Sequence, residues 1–257
     1  MITTLFNKFF SGHQRSVKAK KHIILSFLLK SVSIFISFIL IPLTIDYLNP
    51  TKYGIWITLT SVIGWFSFFD IGLGNGMRNK FAIAKAEGKD VLARTYISTT
   101  YALITVISVA LFSLFFIVNQ FLDWGKILNT SSDILELEKL VFIVFSVFCF
   151  QFVARLINAV FLADQRPGMS KAINTLASII SLIVVYILIK TTSGSLLYLG
   201  ASFSIINLLV PFLVGVWVFN TSYKKYKPSL KFVDFKYARE LLSLGGAFFL
   251  GQAAALI

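Results

Sequence analysis

The stretch Leu140–Ala163 reads LVFIVFSVFCFQFVARLINAVFLA, 24 residues in which Arg155 is the one charged side chain. At 1.5 Å per residue a helix of that length runs about 36 Å, enough to cross the roughly 30 Å hydrocarbon core of a bilayer. A run so long and so poor in charge predicts a transmembrane helix. Working outward, comparable runs precede it at Ile23–Leu48, Tyr53–Phe69 and Tyr96–Leu122, and follow it at Ala172–Ile189 and Leu196–Phe219. A seventh opens near Ala238 and reaches Ile257 before any exit loop or final charge. The expected fold is all-α: a polytopic transmembrane helix bundle of six complete spans plus the start of a seventh. Its expected divisions are a cytoplasmic amphipathic and basic segment (1–22), a six-helix transmembrane lobe (23–219), a basic cytoplasmic linker (220–237) and the incomplete start of a second lobe (238–257).

Composition agrees with this reading. Of 257 residues 57% are hydrophobic and only 14% charged, against about a quarter in a soluble domain, and the mean hydropathy is +0.82. A net charge of +13 would suit nucleic acid, but the 24 Lys and Arg are spread between apolar runs, which points to membrane topology and away from a nucleic-acid partner. Cys149 is the one cysteine, which excludes an internal disulfide and a Cys-based zinc site; with His13 and His22 the only histidines, neither a metal nor a cofactor is expected.

Lys and Arg near helix ends are retained in the cytoplasm. Five lie before the first span, five after the second, two after the fourth and six after the sixth, so 18 of 24 fall on one side. The opposite loops hold Lys52, Lys126, Lys139 and Lys190. The N-terminus is therefore expected inside, against an anionic inner leaflet. Ile2, Leu5, Phe6, Phe9 and Phe10 recur with helical spacing and suit a helix lying on that leaflet. The first span is too long for the h-region of a secretory signal.

The two remaining cations, Lys30 and Arg155, lie inside spans, at similar depth from the basic side and with no acidic residue at their level. An intramembrane charge is costly and marks a cavity or pathway more often than a lipid contact. Each belongs to a polar stripe: Ser26, Lys30, Ser33 and Ser37 in the first span, Gln151, Arg155 and Asn158 in the fourth. Ser170, Asn174, Ser178 and Ser181 make a third, and Gly200, Ser204, Asn207, Pro211 and Gly215 a fourth; small and hydroxyl residues of this kind are ordinary helix-packing contacts in membranes. For Lys30, snorkelling to the inner headgroups stands as the alternative to a cavity role. If both cations line one cavity their sign selects an anion, and phosphate oxygens are the usual target. The expected binding residues are Lys30, Arg155, Gln151, Asn158 and Arg78; no catalytic residue is expected.

The most distinctive local string runs from Phe68 to Asp90, FFDIGLGNGMRNKFAIAKAEGKD. Gly72, Gly74 and Gly76 are expected to break the second span, with Phe81, Ile83 and Ala84 resuming an amphipathic segment. With the residues before it, IPLTIDYLNPTKYGIWITLTSVIGWFSFFDIGLGNGMRNK (Ile41–Lys80) resembles the first two helices of the Wzx-type O-antigen flippases of the multidrug/oligosaccharidyl-lipid/polysaccharide superfamily. The marks are YGIW after a short loop, the aspartate closing the second helix, and GLGN followed by RNK. Gly245, Gly246 and Gln252 suit the opening of that family's second lobe.

The resemblance implies two bundles of about six helices around a cavity that opens alternately to the two sides. The cargo it implies is an undecaprenyl-diphosphate-linked oligosaccharide in a bacterial inner (cytoplasmic) membrane. Lys30 matches the basic cavity character of related peptidoglycan-precursor flippases, and Arg78 matches the RNK of the string; Arg155 rests on this chain's own pattern. Family members usually have 12 to 14 helices, so the chain corresponds to the first lobe plus one helix, with a missing C-terminal lobe or a glycan polymerase as expected partner. Two alternatives stand beside this one. A polytopic polysaccharide polymerase or ligase would want a large catalytic outer loop, and the longest, Asp123–Lys139, offers Asp133, Glu136 and Glu138 without a clear constellation. A drug or cation exporter of the same fold would want mid-span carboxylates as its relay.

Overall fold

The computed structural model describes residues 14–66, 72–130, 134–243 and 246. Among them there is no strand. The elements are α1 (Gln14–Leu48), α2 (Pro50–Phe66), α3 (Leu73–Ala86), α4 (Asp90–Val118), the single-turn α5 (Trp124–Ile127), α6 (Ile134–Ala163), α7 (Pro167–Thr191) and α8 (Leu196–Asn220). After α8 the chain makes three short 3₁₀ turns and becomes helical again at 238–243. The expected N-terminal surface helix and most of the seventh span lie outside the described residues.

Five stretches are long and apolar enough to cross a membrane: His22–Leu48, Asp90–Phe121, Leu135–Ala163, Pro167–Thr191 and Leu196–Asn220. They make this a multi-pass membrane protein. The second expected span is represented by α2, whose 17 described residues give about 26 Å of helix.

The turns follow from local chemistry. Asn49, at φ 73°, breaks α1 from α2; its Oδ1 accepts the Lys52 amide at 3.0 Å, and Pro50 starts α2, where its missing N–H costs nothing. Gly194, at φ 60°, closes the α7–α8 turn against the Tyr47 carbonyl, which a Cβ would approach to 2.6 Å. Pro167 opens α7.

Gly72, at φ 68°, breaks the chain as expected, but Gly74 and Gly76 do not: both are buried inside α3. Leu73, Met77, Phe81 and Ala84, at i, i+4, i+8 and i+11, are buried, while Arg78 and Ile83 stay exposed. At 14 residues α3 is about 21 Å long and too short to span.

The core has two clusters. One gathers Leu73, Met77, Phe81, Ile97, Ile157, Phe161 and Tyr226 at the end of the bundle that carries most of the cations, called here the basic end. The other gathers Leu48, Trp56, Leu59, Leu137, Leu140, Val185 and Leu199 at the opposite end. Phe152 of α6 packs against both. The stripe at Gly200, Ser204 and Gly215 is a packing surface: a Cβ at Gly200 would come within 2.3 Å of Leu140 and 3.0 Å of Trp56, and one at Gly215 would meet Ile157 at 3.8 Å. α1 lies against α7, where Ser33 and Thr175 share a hydrogen bond of 2.8 Å and Thr175 donates to the Leu29 carbonyl at 3.1 Å.

Candidate functional site

Arg155 of α6 opens into a cleft of about 240 Å³ between α2, α6 and α8. Trp56, Thr60, Ile63 and Gly64 line it from α2, Val144, Phe148 and Gln151 from α6, and Phe203, Ser204 and Asn207 from α8. None of these residues is acidic, and among the described residues no carboxylate pairs with Arg155. Arg155 is exposed as a residue on the surface of α6. Trp56 and Phe203 meet edge to face at 5.9 Å in the wall.

Gln151, one turn back along α6, is buried, and its Nε2 donates to the Ser204 carbonyl at 3.3 Å. Asn207 donates from Nδ2 to the Phe203 carbonyl at 2.8 Å, which leaves Oδ1 and a second N–H for a ligand. Pro211 has no N–H, so the Asn207 carbonyl lacks its usual helical partner. A planar cation beside amide groups and aromatic walls can hold a small anion with two oxygens, carboxylate or phosphate, and offers nothing for proton transfer.

The structure brings Arg155 and Gln151 together but sends the other expected residues elsewhere. Asn158 turns to α7, where its Oδ1 accepts the Ser170 hydroxyl at 2.9 Å. Lys30 is exposed on α1, and no α1 residue lines the cleft. Arg78 is exposed on the outer side of α3. Asn207 belonged to a stripe read as packing; Thr60 carried no sequence signal, because a lone threonine in an apolar run is unremarkable until its neighbours are known. Glu136, read as part of a solvated loop, lies in the first turn of α6 and accepts hydrogen bonds from the Ser195 hydroxyl at 2.7 Å and the Leu197 amide at 3.2 Å.

Sequence reading also missed the polar network at the basic end. Asp164, just after α6, pairs with Lys85 of α3, forms an ion pair with Arg166 at 2.9 Å and accepts the Tyr223 hydroxyl at 2.6 Å. Burial alone would push the Asp164 carboxyl up; the hydrogen bonds from Lys85 and Tyr223 and the charges of Lys85 and Arg166 outweigh it and hold the group below the usual carboxylate range. Burial, reinforced by the hydrogen bond to Asp164, pushes the Tyr223 hydroxyl well up. Beside this hub Asp90 accepts Tyr226 at 2.6 Å and Lys225 at 2.9 Å, and Lys80 pairs with Glu240. The network ties α3, α4, α6 and the segment after α8 together at one end.

No family model matches the chain, and no solved structure matches it. Two curated proteins are similar to it. One, from Yersinia pseudotuberculosis and named for O-antigen export, is 28% identical over 228 residues, which is 85% of this chain and 50% of that protein. The other, from Salmonella typhi and named as an O-antigen transporter, is 27% identical over 105 residues, 39% of this chain and 24% of that protein. The chain thus spans about half the length of the first of these curated relatives, or less of the second. These relatives bear out the resemblance to the Wzx-type O-antigen flippases that the Ile41–Lys80 string carries.

Proposed function

We propose that the chain is one lobe of a flippase that moves an undecaprenyl-diphosphate-linked oligosaccharide repeat across the bacterial inner membrane by alternating access. It acts as a transporter and not as an enzyme. The observation that carries this reading is Arg155, an arginine without a carboxylate partner among the described residues, set in a cleft with Gln151 and Asn207. Such a group recognises the diphosphate, the part of the cargo that does not vary with the sugars. Lys30 serves as a second cation on α1, and Arg78 meets the anionic leaflet or the cargo at the basic end. That end faces the cytoplasm, because the sequence assigns 18 of the 24 cations to the loops on that side. Pro42 in α1 and Pro211 in α8 supply bends for the alternation. The second lobe completes the cavity.

The test uses the chain in phosphatidylcholine nanodiscs with undecaprenyl diphosphate as probe. Retention should fall about tenfold in Arg155→Gln, the weight of one charge-assisted contact, and further with Lys30→Gln added. Unchanged retention in the double variant, with folding intact, overturns the assignment.

A further inference from the structure

α4 and α8 flank α6 and meet near the basic end, where the rings of Tyr101 and Phe219 contact edge to face at 5.9 Å. Beside that contact runs an apolar groove of about 330 Å³, lined by Val153 of α6 and by Phe212, Gly215 and Val216 of α8. Its polar side chains are Asn220 and Lys227, with Pro228 next to Lys227 in the chain. Tyr101 and Pro228 also line a second cavity, of about 730 Å³, between α4 and residues 228–235, so the two adjoin and are called here the recess.

The charges around its mouth are unbalanced. Lys225 is engaged by Asp90, Lys236 by Asp234 and Lys80 by Glu240. Lys224, Lys227 and Lys231 are exposed, and among the described residues none of them has a carboxylate within ion-pair distance. Lys227 makes one neutral contact, to Asn220 Oδ1 at 2.8 Å. Arg94 donates from Nε to the Lys227 carbonyl at 2.9 Å and lies 4.1 Å over the Phe232 ring, which fixes its guanidinium at the same mouth. Leu230, between Lys227 and Lys231 in the sequence, is 89% exposed.

We infer that this recess binds an anionic phospholipid of the leaflet that meets the basic end. One acyl chain lies in the groove along α8, the phosphate sits among Arg94, Lys227 and Lys231, and Leu230 enters the headgroup layer. Charge complementarity selects the occupant: an apolar slot beside uncompensated cations favours a lipid of net negative charge over a zwitterionic one, and a lipid over a free phosphate, which has no chain for the slot. The recess shares no lining residue with the Arg155 cleft, so it stands whether or not the cargo reading holds.

The chain, purified in detergent from an equimolar mixture of phosphatidylglycerol and phosphatidylcholine, is assayed for retained lipid by mass spectrometry. Phosphatidylglycerol should be enriched. Lys227→Gln/Lys231→Gln should reduce the enrichment by about fivefold per lysine, and raised salt should erode it in the wild type. Val216→Trp, on the exposed groove wall, fills the slot without touching charge and should lower retention of both lipids. Equal retention of the two lipids by the wild type overturns the site, as does enrichment unchanged in the double-lysine variant. Displacement of phosphatidylglycerol by undecaprenyl phosphate that depends on Arg155 and not on Lys227 and Lys231 also overturns it.

Discussion

Replacing Asp164 by Asn removes the carboxylate that pairs with both Lys85 and Arg166, while keeping the shape and an acceptor for Tyr223. The Asp164 side chain is 14% exposed, those of Lys85 and Arg166 31% and 29%, so the pair is largely but not fully withdrawn from water. Removing one partner of a fully buried pair costs about 3–5 kcal/mol. Here both cations reach solvent, and Lys85 also lies 5.4 Å from the Tyr223 ring centre, so a cost of about 2–3 kcal/mol is expected. At roughly 2–4 °C per kcal/mol for a chain of this size, the thermal midpoint should fall by about 5–10 °C in a detergent melt followed by tryptophan fluorescence. The sign with pH follows from the depressed carboxyl. Its stabilisation is complete above the ordinary value of 3.8 and is lost as pH falls from there through the lower folded value. The gap between wild type and Asp164→Asn should therefore be steady near neutrality and close below about pH 4. A variant within about 0.5 kcal/mol of wild type at pH 7, or a gap that persists at low pH, would refute the view that Asp164 organises this end.

Three further outcomes are expected. Gly200→Val should cost about 1–3 kcal/mol through collision with Leu140 and Trp56, whereas Gly215→Ala, meeting Ile157 at ordinary contact distance, should be near neutral in the same melt. Gly194→Ala combines a left-handed backbone with a 2.6 Å approach to the Tyr47 carbonyl; it should lower stability by about 1–3 kcal/mol and increase proteolysis at the α7–α8 turn. Ser33→Ala/Thr175→Val removes the hydrogen bond between α1 and α7 and should weaken their association by about 0.6 kcal/mol, read from crosslinking between cysteines placed on the two helices.

Much of the bundle was legible because a bilayer imposes a length and a hydropathy on each crossing helix, and runs such as Leu140–Ala163 carry both. Arg155 was legible for the complementary reason: a charge in that run needs an explanation. Hydropathy does not record which helices neighbour one another. The cleft depends on α2 and α8 meeting α6, so the roles of Thr60 and Asn207 emerge only once the helices are packed, and Asn158, on the same stripe as Arg155, is taken by Ser170 across the α6–α7 corner. The basic-end network escaped notice because its members come from four separate parts of the chain, each of which reads as an ordinary solvated loop charge. The glycines at 74 and 76 misled because glycine is read as a breaker, as Gly72 indeed is, while it also fits buried positions inside a helix.

The short helix α3 alters what the connection between α2 and α4 amounts to. Connections between crossing helices usually tolerate shortening and replacement, since little depends on their internal structure. Here the connection has Leu73, Met77 and Phe81 fully buried beneath α4 and α6, and Lys85 anchored to Asp164. It acts as a base plate rather than a tether. Exchanging it for a flexible linker of equal reach would keep the order of helices across the membrane and lose the alignment of their ends.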